Sequence, residues 1–184
     1  MKKSNSYPSR RSFLKKSVAA SSFFIVPRFV LGGNGYTAPS DKLSIASIGS
    51  GGKGSSDITH ASVNGRENVI ALCDIHPSGD HGVVNIRKRF PKARFYTDFR
   101  ELLSEEKDLD AVTISTPDHT HGIIAKTAME NKIHVYVQKP LTHNIKEARL
   151  LTELARKKKV VTQMGNQGAS HPGQKYVQQW IREK

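Results

Sequence analysis

The sequence predicts an α/β fold with a doubly wound parallel sheet, and three observations lead there. Short apolar runs rich in Val and Ile alternate with longer segments of helical periodicity from residue 43 onward in a chain of 184 residues. The first run, LSIASI, enters a glycine cluster at Gly49, Gly51, Gly52 and Gly54. A second apolar run, VIALC, then ends on Asp74, about twenty residues after the cluster, which is the spacing of a dinucleotide-binding fingerprint in a strand–turn–helix setting.

Each part of the fingerprint has a physical task. Leu43, Ile45, Ala46 and Ile48 form a short buried strand, and Gly49 permits the sharp turn after it. Gly51 lets a pyrophosphate approach the backbone. Gly54 lets the next helix, expected over 55–63, lie close on the sheet with its unpaired N–H groups and positive dipole end aimed at the phosphates. Asp74 stands where a carboxylate accepts both ribose hydroxyls of an adenosine and repels a 2′-phosphate. Ile75, His76 and Pro77 follow it rather than Arg or Lys, so the reading favours NAD over NADP. A Walker-type phosphate loop needs Gly-Lys-Ser/Thr in that order, and here Lys53 precedes Gly54.

The alternation continues to the end of the chain. Helices are expected over 82–90, 99–104, 121–131 and 144–158, strands over 94–96, 111–115, 134–137 and 160–164, and a last helix from about residue 172. Ligands of open parallel sheets bind beyond the carboxyl ends of the strands. Three polar clusters stand there: Thr116, Pro117, Asp118, His119, Thr120 and His121 after the fourth strand; Gln138, Lys139 and Pro140 after the fifth; and Asn166 and Gln167 after the sixth.

Charge is unevenly spread. Of the net +13, seven Lys or Arg and no acid fall in residues 1–40, leaving 22 basic against 16 acidic residues in the rest. The basic head reads as an address: Ser9, Arg10, Arg11, Ser12, Phe13, Leu14 and Lys15 spell a twin-arginine export signal, and a moderately apolar stretch over 18–26 follows it. That stretch is too short for a hydrocarbon core that needs roughly twenty apolar residues. The expected organisation is therefore signal and linker over 1–40, a cofactor-binding domain over 41–168, and over 169–184 the start of a connection to a further domain. The expected location is the periplasm, with the export machinery as a partner. The lone Cys73 has no internal disulfide partner and lies inside a strand, which suits a small buried residue better than a nucleophile.

The fingerprint, TPDHTH, VQKPLTHN and GNQG, in this order and spacing, resemble the N-terminal half of the glucose–fructose oxidoreductase / inositol dehydrogenase (Gfo/Idh/MocA) family over about residues 42–184. The resemblance implies a Rossmann-type domain in which Gly49, Ser50, Gly51, Gly52 and Asp74 hold the adenosine half of NAD. It implies further that Thr116, Pro117 and His121 line the nicotinamide ribose, with Gln138 and Gln167 also at the cofactor, and that Lys139 faces substrate as the catalytic residue. The family's usual motif after the fifth strand is Glu-Lys-Pro, and Gln138 stands here in place of the Glu, able to hydrogen-bond a ribose hydroxyl but uncharged. Members carry a second, α+β substrate domain that this chain lacks or holds only in part, and through which a homo-oligomer is expected.

Other readings of the unusual residues are weaker. His119 and His121 could chelate a metal, but no HExxH, Cys partner or acidic ligand set accompanies them, so no metal is expected. The basic run at 156–159 ends a helix, where cations answer the negative dipole end, so no nucleic-acid partner is expected. Three functions stay open: an NAD-dependent oxidoreductase acting on a sugar or cyclitol, an NAD-dependent glycoside hydrolase of the same superfamily, and a nucleotide-binding protein without turnover.

Overall fold

The computed structural model describes residues 37–78 and 82–183, so the twin-arginine motif lies outside the described residues. Pro39–Asp41 forms a 3-10 turn. Residues 42–184 form one unit. Its strands are β1 Ser44–Ile48, β2 Asn68–Cys73, β3 Arg94–Tyr96, β4 Ala111–Ile114, β5 His134–Gln138 and β6 Thr162–Gly165. They form one six-stranded sheet in the order β3-β2-β1-β4-β5-β6, with every pairing parallel. The chain reverses its direction of winding between β1 and β4, which makes that gap the topological switch point.

Successive side chains on a strand point to opposite faces, so each strand feeds two cores. Ile45 and Leu72 pack with Ile58 and Ile86 of the helices α1 Gly52–Ala61 and α2 Val83–Arg89. Ala46, Ile48, Val112 and Ile114 pack on the other face. There they meet Leu102 of α3 Phe99–Glu105, Met129 of α4 Asp118–Glu130 and Leu151 of α5 Ile145–Lys158. The register is level at the carboxyl ends: Ile48 pairs with Cys73 and Ile114, Ile114 with Val137, and Gln138 with Gly165. The loops that follow these strands consequently share one rim.

Several boundaries differ from expectation for local reasons. Helix α1 starts at Gly52, inside the glycine cluster, because Gly51 is extended and Gly52, at φ +49°, curls straight into the first turn. Helix α4 starts at Asp118 rather than 121, since Pro117 at φ −57° is set for helix entry and its carbonyl accepts the Thr120 N–H at 3.0 Å. Strand β6 starts late, because Val160 donates its N–H back to Ala155 after a left-handed turn at Lys159. A short helix, α6 Gln167–Ser170, occupies what read as a strand-end loop and precedes α7 Gly173–Arg182.

Candidate functional site

Where β1 ends, Gly49 turns the chain at φ +79°, and a Cβ on it would lie 2.8 Å from the backbone of Ser115 and Thr116. Gly54, in the first turn of α1, lies closer still: a Cβ there would meet the Gly49 carbonyl oxygen at 1.7 Å. Helix α1 can therefore seat directly on the turn only because both positions lack a side chain. Gly52 has nothing within 4 Å of the equivalent point, so its backbone faces open space. A wall of backbone with a clear approach above it, at a helix N-terminus, is the form that suits a pyrophosphate.

Asp74 follows β2 directly, half-buried, and one of its oxygens accepts the Gly51 N–H at 2.8 Å while the other accepts the His76 N–H at 3.0 Å. The acid expected at the ribose thus also ties down the glycine loop. Ser50 is fully buried. Its hydroxyl accepts the Cys73 N–H at 3.1 Å and lies 3.0 and 3.1 Å from the carbonyls of Cys73 and Ser47, so its side chain braces the loop from beneath instead of reaching towards a phosphate.

The loops after β4 and β5 are joined by a histidine. His121, 1% exposed, places Nδ1 at 2.7 Å from the Pro140 carbonyl and Nε2 at 2.8 Å from the Thr116 carbonyl. Its ring therefore fastens the two loops together, with Thr116 part-exposed and Pro117 exposed beside it on the rim. Thr116 Oγ1 accepts a hydrogen bond from Thr120 at 2.8 Å. Lys139 is exposed at the end of β5, followed by a cis peptide bond to Pro140. Gln167, exposed at the start of α6, donates to the Tyr136 hydroxyl at 3.0 Å.

Gln138 differs from its expected arrangement. Its side chain is buried, with Nε2 donating to Asp57 at 2.9 Å and Oε1 accepting the Lys139 N–H at 3.0 Å, so the amide expected at a ribose hydroxyl is directed inward. Asp57, on α1, is the functional-region residue that sequence reading passed over. Its carboxylate also accepts from Ser115 at 2.8 Å and pairs with Lys53. The available signal was a lone acid beside Ile58 on the face of α1 that the glycine spacing turns towards the sheet.

Two titrating groups are strongly displaced. Burial, reinforced by Asp74, pushes the Cys73 thiol up to about 12. Burial and hydrogen bonds to Glu106 and Glu105 push the Tyr96 hydroxyl up. Among the described residues no group of three or more His, Cys, Asp or Glu is arranged to hold a metal ion. No helix among them is long and apolar enough to cross a membrane. A cleft of about 870 Å3 opens at the amino ends of β1 to β3, lined by Ser44, Asn68, Arg94 and Glu106 among others. It lies at the wrong end of the sheet for a ligand of this fold, which binds at the carboxyl rim.

Comparison with known proteins places this rim in context. The model of the Gfo/Idh/MocA oxidoreductase family, described as an NAD-binding Rossmann fold, matches residues 43–166. UDP-N-acetylglucosamine 3-dehydrogenase of Acidithiobacillus ferrooxidans is 33% identical over 88 residues, covering 48% of this chain and 27% of that protein. An alpha-N-acetylgalactosaminidase of Shewanella oneidensis is 30% identical over 163 residues, covering 75% of this chain and 35% of that protein. The crystal structure of GenD2 from gentamicin A biosynthesis, in complex with NAD, superposes with a TM-score of 0.63 at 26% identity, over 80% of this chain and 39% of that one. The chain spans about a third of the length of the curated relatives it matches.

Proposed function

Because the chain belongs to the Gfo/Idh/MocA oxidoreductase family and carries its NAD-binding Rossmann domain, we propose that it is the cofactor-holding part of an enzyme that oxidises a secondary alcohol of a sugar or cyclitol. The observation that supports this most is Lys139, exposed on the same rim as the glycine loop and one residue beyond a buried, doubly bonded Gln138. NAD, when bound, supplies the hydride acceptor. In this reading the backbone from Gly51 to Gly54 and the N-terminus of α1 face the pyrophosphate, and Asp74 faces the adenosine ribose, favouring NAD over NADP. Lys139 hydrogen-bonds the substrate hydroxyl as an ammonium or, as a neutral amine, takes its proton while the carbonyl forms. A second domain completes the substrate pocket and supplies an oligomer contact. The twin-arginine motif directs export to the periplasm through the machinery that carries folded proteins.

A second reading is favoured by the relatives with the longer alignments. The galactosaminidase and a protein named Glycosyl hydrolase family 109 protein 1 from Shewanella sp. align over 75% and 79% of this chain. In that reading oxidation of the sugar is transient: the aglycone leaves by elimination, water adds to the double bond this creates, and the hydride first removed returns to the carbonyl, so no net NADH forms. Full-length protein would be incubated with NAD and, separately, scyllo-inositol, UDP-N-acetylglucosamine and p-nitrophenyl N-acetyl-α-galactosaminide. Accumulating NADH supports the oxidoreductase, nitrophenol release without net NADH supports the glycosidase, and cofactor binding with neither product removes both for these substrate classes.

A further inference from the structure

Asp57 is a buried acid that neither the fingerprint nor the proposed chemistry uses. Its side chain is 5% exposed, and it gathers three donors from three parts of the chain: Lys53 one turn earlier on α1, Ser115 after β4 and Gln138 at the end of β5. A carboxylate only accepts hydrogen bonds. A glutamine amide has one donating and one accepting end, so the acceptor at Asp57 decides which way Gln138 faces. With Nε2 held by Asp57 at 2.9 Å, Oε1 is presented to the Lys139 N–H at 3.0 Å.

We infer that Asp57 is a positioning residue: acting through the Gln138 amide, its carboxylate fixes the backbone of Lys139 and so couples the helix of the glycine loop to the end of β5. The inference rests on the reading of Lys139 as the residue that meets substrate. It also gives a physical reason for a neutral residue at 138. A glutamate there would set two acceptors about 3 Å apart in a buried site with no proton between them, a like-charge contact that is strongly unfavourable away from water. An asparagine at 57 opposite a glutamate at 138 would supply the missing donor, with the second glutamate oxygen free to accept the Lys139 N–H. The site thus tolerates one carboxylate on either element, but not on both.

The test is amide hydrogen exchange in the 15N-labelled chain with NAD added, comparing wild type, Gln138→Glu, Asp57→Asn/Gln138→Glu and Asp57→Leu. Gln138→Glu is expected to lower protection of the Lys139 amide at least about tenfold, while the Val135 and Val137 amides of the same strand change far less. The double swap should return Lys139 to within about threefold of wild type, because coupled neighbours depart from additivity. Should Gln138→Glu not fold, Asp57→Leu is read in its place, with the same selective loss expected. Unchanged Lys139 protection, an equal loss along all of β5, or a double swap no better than Gln138→Glu alone would overturn the inference. Turnover of Lys139→Met addresses the role of the lysine separately, since the amide measurement needs no substrate.

Discussion

At the scale of single residues, a methyl group is enough to disable the rim. Alanine at Gly54 would drive a carbon to 1.7 Å from the Gly49 carbonyl oxygen, so α1 must lift or the turn must unwind. Gly54→Ala is expected to weaken NADH binding by about a hundredfold or more and to cost about 1–3 kcal/mol of stability, as overpacking does; fluorescence titration and urea denaturation read both. Lys139→Met has the opposite profile. The side chain is exposed, so melting and NADH affinity should stay near wild type while turnover in the full-length protein falls about a hundredfold, the scale of losing an acid–base group. Turnover within a few-fold of wild type would remove the lysine from the chemistry. Cys73 gives a pH signature. Its thiol titrates near 9 when free and near 12 in the fold, so the folded state holds a proton that the unfolded chain releases. The stability this contributes is complete below pH 9 and is lost as pH rises towards 12. The stability gap between wild type and Cys73→Ala should therefore shrink over that range, and a gap constant from pH 8 to 11 would contradict it.

Among the elements, what could be read in advance divides by the distance over which the cause acts. The glycine cluster, the strand-end polar groups and the alternation of elements were legible because each is written within a few neighbouring residues. The far end of α5 was legible in the same way, in the basic Arg156, Lys157 and Lys158, whereas Asn144, expected as the first helical residue, stands before the helix and caps it by accepting the Glu147 N–H at 3.0 Å. Asn144→Ala should cost about 1 kcal/mol by thermal melting, the usual worth of an N-cap. The start of α1 was not legible, since Gly51 caps it through backbone conformation without any side-chain hydrogen bond. Nor were the inward turns of Ser50, His121 and Gln138. Gln138 and Ser115 reach Asp57 from 81 and 58 residues away, and no local pattern announces a partner that only the sheet order brings near.

For the whole molecule, the two ends of the sequence carry different kinds of information. The basic head contributes seven of the positive charges without a compensating acid, and it carries the motif proposed above to direct export. Fused to a reporter that must fold before export, residues 1–45 should direct it outward, and replacing Arg10 and Arg11 with Lys should abolish most of that export; undiminished export would count against the signal. The domain behind it should bind NADH more tightly than NADPH, which parallel titrations decide, and equal affinities would remove Asp74 as the discriminator. The bond from Gly51 to Asp74 complicates any attempt to reverse that choice. The carboxylate that moors the loop is also the one proposed to select the nucleotide, so in that reading the loop is held ready by the same atoms that judge the cofactor. Removing them trades discrimination for slack: Asp74→Ala would loosen the phosphate cradle and lower affinity for both cofactors, and a working switch to NADP would need a second substitution that ties Gly51 down again.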